Sequence, residues 1–239
     1  MITYLVPPRL ICQTCPVAAT CHHLASYQTS CIWLSDEWTT IKNICTDLYG
    51  GTRAFLRLWD LVIDEMKCLE EWNMALPGDE DNLNQLKLSR NSSVKIISCP
   101  KLRFKPCPPQ CGSLWIERSD EVMLSSLGNR GQVGASAVKD LLVNCCAVPL
   151  HHWSLLGQLP YLKNLTLVNC RDLTCSSQDF LGGLTSLKSL VVTRALSLPE
   201  RLGDLTSLTE LEIYECNSIK TVPASMHKLT HRPANFNSA

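Results

Sequence analysis

The side chains best suited to chemistry in this chain are its cysteines and histidines, which gather in two places. Cys12 and Cys15 form a CxxC, followed by Cys21, His22, His23 and Cys31, the nearest approach to zinc-ligand spacing in the sequence. A closed zinc site needs two ligand pairs across a compact loop. Here the second half is a scatter of donors with no second CxxC, so we read unpaired thiols and no metal site. The other cluster, "NCCAVPLHHW", sets Cys145 and Cys146 ahead of His151 and His152, the residue types of a thiolate nucleophile and its imidazole base. The pair is weakened by its context, because Cys146 fills a slot of the repeat described below and the histidines follow in a loop beside Trp153. Cys107 and Cys111 in "KPCPPQC" read as loop residues, since the prolines stiffen the spacer. The acidic run Asp79, Glu80 and Asp81 follows Pro77 and Gly78 and reads as a solvated turn.

Other catalytic signatures are absent from the sequence. It holds no GxxxxGK[ST] phosphate loop, no GxSxG elbow and no HExxH helix. Lysine plus arginine balance aspartate plus glutamate at 22 each, so no overall basic field draws nucleic acid or an anionic membrane. No apolar run approaches the roughly 18 residues of a spanning helix. Pro7, Pro8 and Arg9 interrupt the amino terminus where a secretory signal would be continuous, which leads us to expect a cytoplasmic protein. Asn91 and Asn164 stand in glycosylation sequons that would then go unmodified.

What must position any functional residue is a repeat. In "LTSLTELEIYECNSIKTVP" the apolar residues Leu205, Leu208, Leu211, Ile213, Cys216 and Ile219 fit neither a whole helix nor a whole strand. They fit one short strand around Leu211 to Ile213, with a turn on each side. The same slots recur at Leu159, Leu162, Leu165, Leu167, Cys170 and Leu173, and again at Leu184, Leu187, Leu190, Val192, Ala195 and Leu198. Weaker copies run through Val138, Leu141, Val143 and Cys146; through Cys111, Leu114, Ile116, Ser119 and Val122; and through Leu58, Leu61, Ile63, Met66 and Leu69. Between 83 and 102 two frames compete. We prefer Val94, Ile96, Cys99 and Leu102 to Leu83, Leu86, Leu88 and Asn91, because "VKIISCPKL" closes as the other copies do. The strand anchors Leu61, Val94, Leu114, Leu141, Leu165, Leu190 and Leu211 are then 33, 20, 27, 24, 25 and 21 residues apart, as in an irregular leucine-rich repeat. Cys99, Cys146, Cys170 and Cys216 share one slot of it, so these four of the 14 cysteines read as reduced packing residues rather than a disulfide framework.

The stretches "YGGTRAFLRLWDLVIDEMKCLEEW", "SCPKLRFKPCPP" and "LPERLGDLTSLTELEIYECNSIKTVPASMHKLT" resemble the leucine-rich-repeat region of plant intracellular disease-resistance proteins of the nucleotide-binding type, especially those of grasses. The resemblance covers roughly 38 to 230. It implies an α/β solenoid with a parallel concave sheet and short helices or turns on the convex side, and a non-enzymatic module of innate immunity without cofactor. The implied partners are proteins: a pathogen effector, a guarded host protein, or the nucleotide-binding domain of a receptor. Nucleotide binding does not transfer, because the domain that carries it is not in this sequence, and we expect a fragment or truncated relative. A generic repeat scaffold, a non-functional remnant and a zinc-dependent interaction protein are the alternatives.

The expected organisation is a cysteine-rich segment at 1–37, the repeat array at 38–230 and a non-repeat tail at 231–239. Arg232 and Pro233 fall where another ladder strand would begin, so fraying and self-association are expected there. Pro199 and Pro223 suit the first turn of convex-side helices. Residues between the ladder leucines would face solvent on the concave side, and these are the candidate contacts: Trp59 and Trp115 as aromatic anchors, Lys163 with Asn164, Lys188 with Arg194, and Glu210, Glu212, Tyr214 and Glu215.

Overall fold

The computed structural model describes residues 31–34, 40–44, 58–74, 88–105, 108–125, 136–170, 172–174, 183–230 and 235–238. Alternating side chains in five-residue segments build the principal element. In β5 (Ser93–Ile97), β7 (Ser113–Glu117), β8 (Asp140–Asn144), β9 (Asn164–Val168) and β10 (Ser189–Thr193) the second and fourth residues are buried and the others are not, the period of a sheet with one wet face. With β1 (Cys31–Leu34), β3 (Asp60–Asp64), β11 (Glu210–Tyr214) and β12 (Asn235–Ser238) they form a nine-stranded sheet in the order β1-β3-β5-β7-β8-β9-β10-β11-β12. Every neighbouring pair is parallel. The fold is therefore α/β with parallel sheets and few, short helices, consistent with a solenoid-like arrangement.

The register joins like residues. Leu61, Val94, Leu114, Leu141, Leu165, Leu190 and Leu211 are successive partners across the strands, so the anchors chosen from sequence form one buried row. Ile63, Ile96, Ile116, Val143, Leu167 and Val192 form a second. Each such side chain is worth about 1.5–3 kcal/mol of transfer free energy, which makes the two rows the principal source of cohesion. One hydrophobic cluster includes both. Of the two competing frames, the strand is the one around Val94. Leu88 is buried ahead of it, and Leu83 and Leu86 lie outside the described residues.

The strand exits repeat as closely as the strands. Glu65, Ser98, Arg118, Cys145, Asn169, Arg194 and Glu215 each follow a strand directly, and each has φ between 45° and 56°. This left-handed conformation turns the chain off the sheet. For the first six, the N–H still reaches the last carbonyl of the next strand, as in Asn169 to Thr193 at 2.9 Å. The next residue fills the cysteine slot. There the Cys170 thiol lies 3.6 Å from the Val143 carbonyl and 3.5 Å from that of Val168, and the Cys99 thiol lies 3.2 Å from Ile97 O and 3.7 Å from Ile63 O. Ser119 does the same with a hydroxyl, donating to Glu117 O and accepting from Cys99 N, both at 2.9 Å.

Three features depart from the sequence reading. First, a second parallel sheet, β2-β4-β6, joins β2 (Asn43–Ile44), β4 (Glu71–Asn73) and β6 (Arg103–Lys105) where turns or short helices were expected. Its buried Trp72 and Phe104 meet edge to face, centroids 5.9 Å apart. Second, the large sheet reaches into the segment assigned to 1–37, through β1. Third, it continues past Thr230: β12 pairs with β11 from Glu210–Asn235 to Ile213–Ser238. The strand begins two residues after Pro233, so the missing proline donor falls ahead of the ladder rather than in it. Cys111, read both as the opening slot of its repeat copy and as part of a proline-stiffened loop, is wholly buried in the core, as the slot requires.

The remaining connections are short. They comprise α1 (Asp120–Met123), α2 (His227–Thr230) and 3₁₀ turns at Leu150–His152, Leu156–Gln158, Leu202–Asp204 and Ala224–Met226. Pro149 and Pro223 cap two of these turns, and the Leu202 N–H bonds the Pro199 carbonyl at 3.1 Å. The last coils stack closely enough to require glycine: a Cβ at Gly203 would lie 1.8 Å from the Ser225 carbonyl oxygen. Ser225 Oγ closes the contact, accepting from Gly203 N at 3.0 Å and donating to Glu200 O at 2.7 Å.

Candidate functional site

Four rows of residues line the large sheet away from its core: one just before the strands, then strand positions one, three and five, of which position one holds Asp60, Ser93, Ser113, Asp140, Asn164, Ser189 and Glu210. The first precedes the strands and forms its leading edge. Trp59, Ser92, Gly112, Lys139, Lys163, Lys188 and Thr209 follow one another there; Ser92 and Gly112 are buried, and the carbonyls from Trp59 to Lys188 accept N–H groups from the next coil, as Lys139 O does from Lys163 N at 2.7 Å. At Gly112 a Cβ would come within 2.3 Å of Arg90 O, so no side chain fits that place in the row. Trp59 is 58 % exposed and all three lysines are exposed. None of the three lysines makes an ion pair among the described residues.

The middle row occupies the third position of each strand, running Val62, Lys95, Trp115, Leu142, Thr166, Val191 and Glu212. Trp115 is half-buried, with Lys95 Nζ 5.7 Å from its ring centroid, a cation–π contact. Its indole N–H is buried and finds no acceptor among the described residues. The trailing row holds Asp64, Ile97, Glu117, Asn144, Val168, Thr193 and Tyr214.

The candidate contacts distribute over these rows unevenly. Lys163 and Lys188 belong to the leading edge with Trp59, whereas Trp115 stands on β7, two strands from Trp59 and two rows in. Asn164, the first residue of β9, donates from Nδ2 to Asp140 Oδ1 at 2.5 Å, which occupies its amide. Glu210 is exposed at the start of β11, and Glu212 is half-buried in the middle row. The Tyr214 hydroxyl bonds the Glu212 carboxylate, which raises the phenol pKa. Arg194 and Glu215, expected on strands, are the left-handed residues one position beyond them. They pair with each other across adjacent coils. With both side chains more than half exposed, this pair is worth about 0–1 kcal/mol.

Sequence reading missed Lys139 and Lys95. Lys139 was legible, since "VKDLLVN" sets it directly before the strand as "LKNLTLV" sets Lys163 and "LKSLVVT" sets Lys188. Acidic residues cluster at β3 (Asp60, Asp64, Glu65) and β11 (Glu210, Glu212, Glu215), while lysines precede β8 to β10, with Asp140 beside the first of them and bonded by Asn164.

The thiol and histidine clusters do not converge. Cys146 is buried, its Sγ 3.9 Å from the Val148 carbonyl, and burial drives its pKa upward, the opposite of what a nucleophile needs. Cys145 is exposed and contacts the Asn144 amide oxygen at 3.3 Å. His151 and His152 lie in a 3₁₀ turn with ring centroids 4.0 Å apart, while the Trp153 indole N–H donates to Val148 O at 2.8 Å. Cys12, Cys15, Cys21, His22, His23, Cys107 and the run Asp79 to Asp81 lie outside the described residues. Among the described residues no three histidine, cysteine or acidic side chains are gathered to hold a metal, and no helix is long and apolar enough to cross a membrane.

Burial of the slot thiols has a measurable consequence. From an ordinary 9.0, desolvation pushes Cys99 and Cys170 to about 11 and Cys111 to about 12. At pH 8 a maleimide should label exposed Cys68 and Cys145 quickly, and Cys99, Cys111, Cys146 and Cys170 only on unfolding, as site-resolved mass spectrometry would read. Because the folded pKa is raised, protonation stabilises the fold fully below pH 9, and this contribution is lost as pH rises from about 9 toward 12. The denaturant midpoint should therefore fall between pH 8 and pH 10. Equal labelling of Cys145 and Cys170 in the native protein would contradict the assigned burial.

Comparison with family models, with curated proteins and with solved structures finds no match to this chain.

Proposed function

We propose that the chain is a leucine-rich-repeat solenoid whose solvent-facing sheet surface is a concave, non-enzymatic recognition surface for another protein. What carries this reading is the pairing of a seven-strand buried ladder with four rows of residues held in the same register away from the core. Such a surface is rigid in backbone and free in side chain, which suits recognition of a large, shaped partner. The resemblance to plant nucleotide-binding resistance proteins supports a cytoplasmic defence role, with a pathogen effector, a guarded host protein or a receptor's nucleotide-binding domain as partner.

The test is chemical cross-linking of the purified full chain in plant extract, read by mass spectrometry. Three proteins are compared: the native chain, a face variant (Lys163→Glu with Glu212→Lys) and a variant altered off the face (Lys101→Glu). Partners should be lost from the face variant and kept by the other. Identical partner sets for all three, in correctly folded proteins, would remove the recognition surface from this sheet.

A further inference from the structure

Resting on the reading that this face binds protein, we propose that the sheet from β8 to β11 takes an acidic amphipathic helix of a partner, laid across the strands. Lys139, Lys163 and Lys188 stand at one position of three consecutive coils, exposed and without an ion-pair partner among the described residues. Parallel neighbours lie about 4.8 Å apart, so the first and third lysines leave the backbone about 9.6 Å from each other. A helix advances about 5.4 Å per turn, so carboxylates at i, i+4 and i+7 span about 10.5 Å. The mismatch of about 1 Å is within the play of a four-carbon side chain. An extended strand presents same-side residues about 6.7 Å apart, or about 13.4 Å over three, which overshoots the lysines by nearly 4 Å.

The middle row supplies the second stripe. Leu142, Thr166 and Val191 are half-buried three residues beyond the lysines, about 10 Å along the strands and past the first strand residues Asp140, Asn164 and Ser189, and they offer an uncharged strip to the far flank of a helix about 10 Å across. Beyond Lys188 the sign reverses at Glu210 and Glu212, so the turn over β11 should carry a lysine or arginine. That reversal, with Asp140 at the foot of β8, opposes a continuous phosphate backbone and favours a polypeptide of mixed charge.

The probe is a fluorescent helical peptide with glutamates at i, i+4 and i+7, leucines on the neighbouring stripe and a lysine one turn beyond. Anisotropy is read against the full chain, the triple variant Lys139→Glu/Lys163→Glu/Lys188→Glu, and the milder Lys→Gln triple. Circular dichroism melts confirm that each is folded. We expect binding that weakens at least about tenfold in the Glu variant, less in the Gln variant, and falls with added salt. Unchanged binding in the folded Glu variant, or equal binding of a charge-reversed peptide, would overturn the inference. So would preferential binding of single-stranded oligonucleotide that the same substitutions abolish. Should the peptide fail while the cross-linking comparison still maps partners to this face, the acidic-helix assignment falls and the recognition surface stands; failure of both removes both.

Discussion

Leu211→Asp should unfold the carboxy-terminal coils, while Glu212→Lys, one residue further, should leave the melting temperature nearly unchanged. Leu211 is 1 % exposed, and in the parallel register it stands between Leu190 and Phe236. A carboxylate there has no described partner. It must either be buried, at a cost of several kcal/mol, or drag β11 out of the stack. Glu212 points to the opposite face, where its carboxylate takes the Tyr214 hydroxyl, so its replacement should change stability by no more than about 0.5 kcal/mol. Thermal and urea melts of the two variants decide the matter. If both kept their midpoints, or if Glu212→Lys unfolded the chain as badly as Leu211→Asp, the faces assigned to β11 would be reversed.

That this contrast can be drawn from sequence shows where the chain is legible. The second and fourth strand positions are apolar in coil after coil, so a period of two set inside a repeat of 20 to 33 residues identifies buried and solvent-facing residues before any coordinates. The slot cysteines were legible for the same reason: a small side chain at a fixed offset recurs because each coil meets the same carbonyls of its neighbour. The left-handed residues were not. Glu65, Arg118, Arg194 and Glu215 are not residue types that advertise positive φ, and only Asn169 does. The geometry is imposed by the strand before and the buried slot after, so local propensity carries no trace of it. This is why the sequence pattern puts Arg194 and Glu215 on strands, whereas they pair with each other beyond them. The extent of the large sheet was hidden too, because β1 and β12 are strands of four residues in segments without leucine spacing.

The small sheet was the largest omission, and it yields the second strong prediction. Its strands are two or three residues long, too short for alternation to register as a pattern. "EWN" and "RFK" each expose one buried aromatic to sequence inspection and nothing more. In the structure Trp72 is 0 % exposed and Phe104 is 2 % exposed, with their rings inclined at 61°. Truncating a buried aromatic removes its transfer free energy and leaves a cavity that neighbouring coils fill only in part. Trp72→Ala should therefore cost about 3–5 kcal/mol. Trp59→Ala is the control: that ring is 58 % exposed at the leading edge, and its loss should cost about 0.5 kcal/mol or less. Because coils of a stack are stabilised mainly by nearest neighbours, the damage should be graded along the chain. Amide exchange in Trp72→Ala should accelerate first in β4 and β6 and in the strands β3 and β5 of the same coils, while β9 to β11 keep their protection. Equal costs for the two tryptophans would mean that the β4–β6 pairing contributes nothing to the core. Uniform loss of protection from β3 to β11 would show instead that the array melts as one cooperative unit.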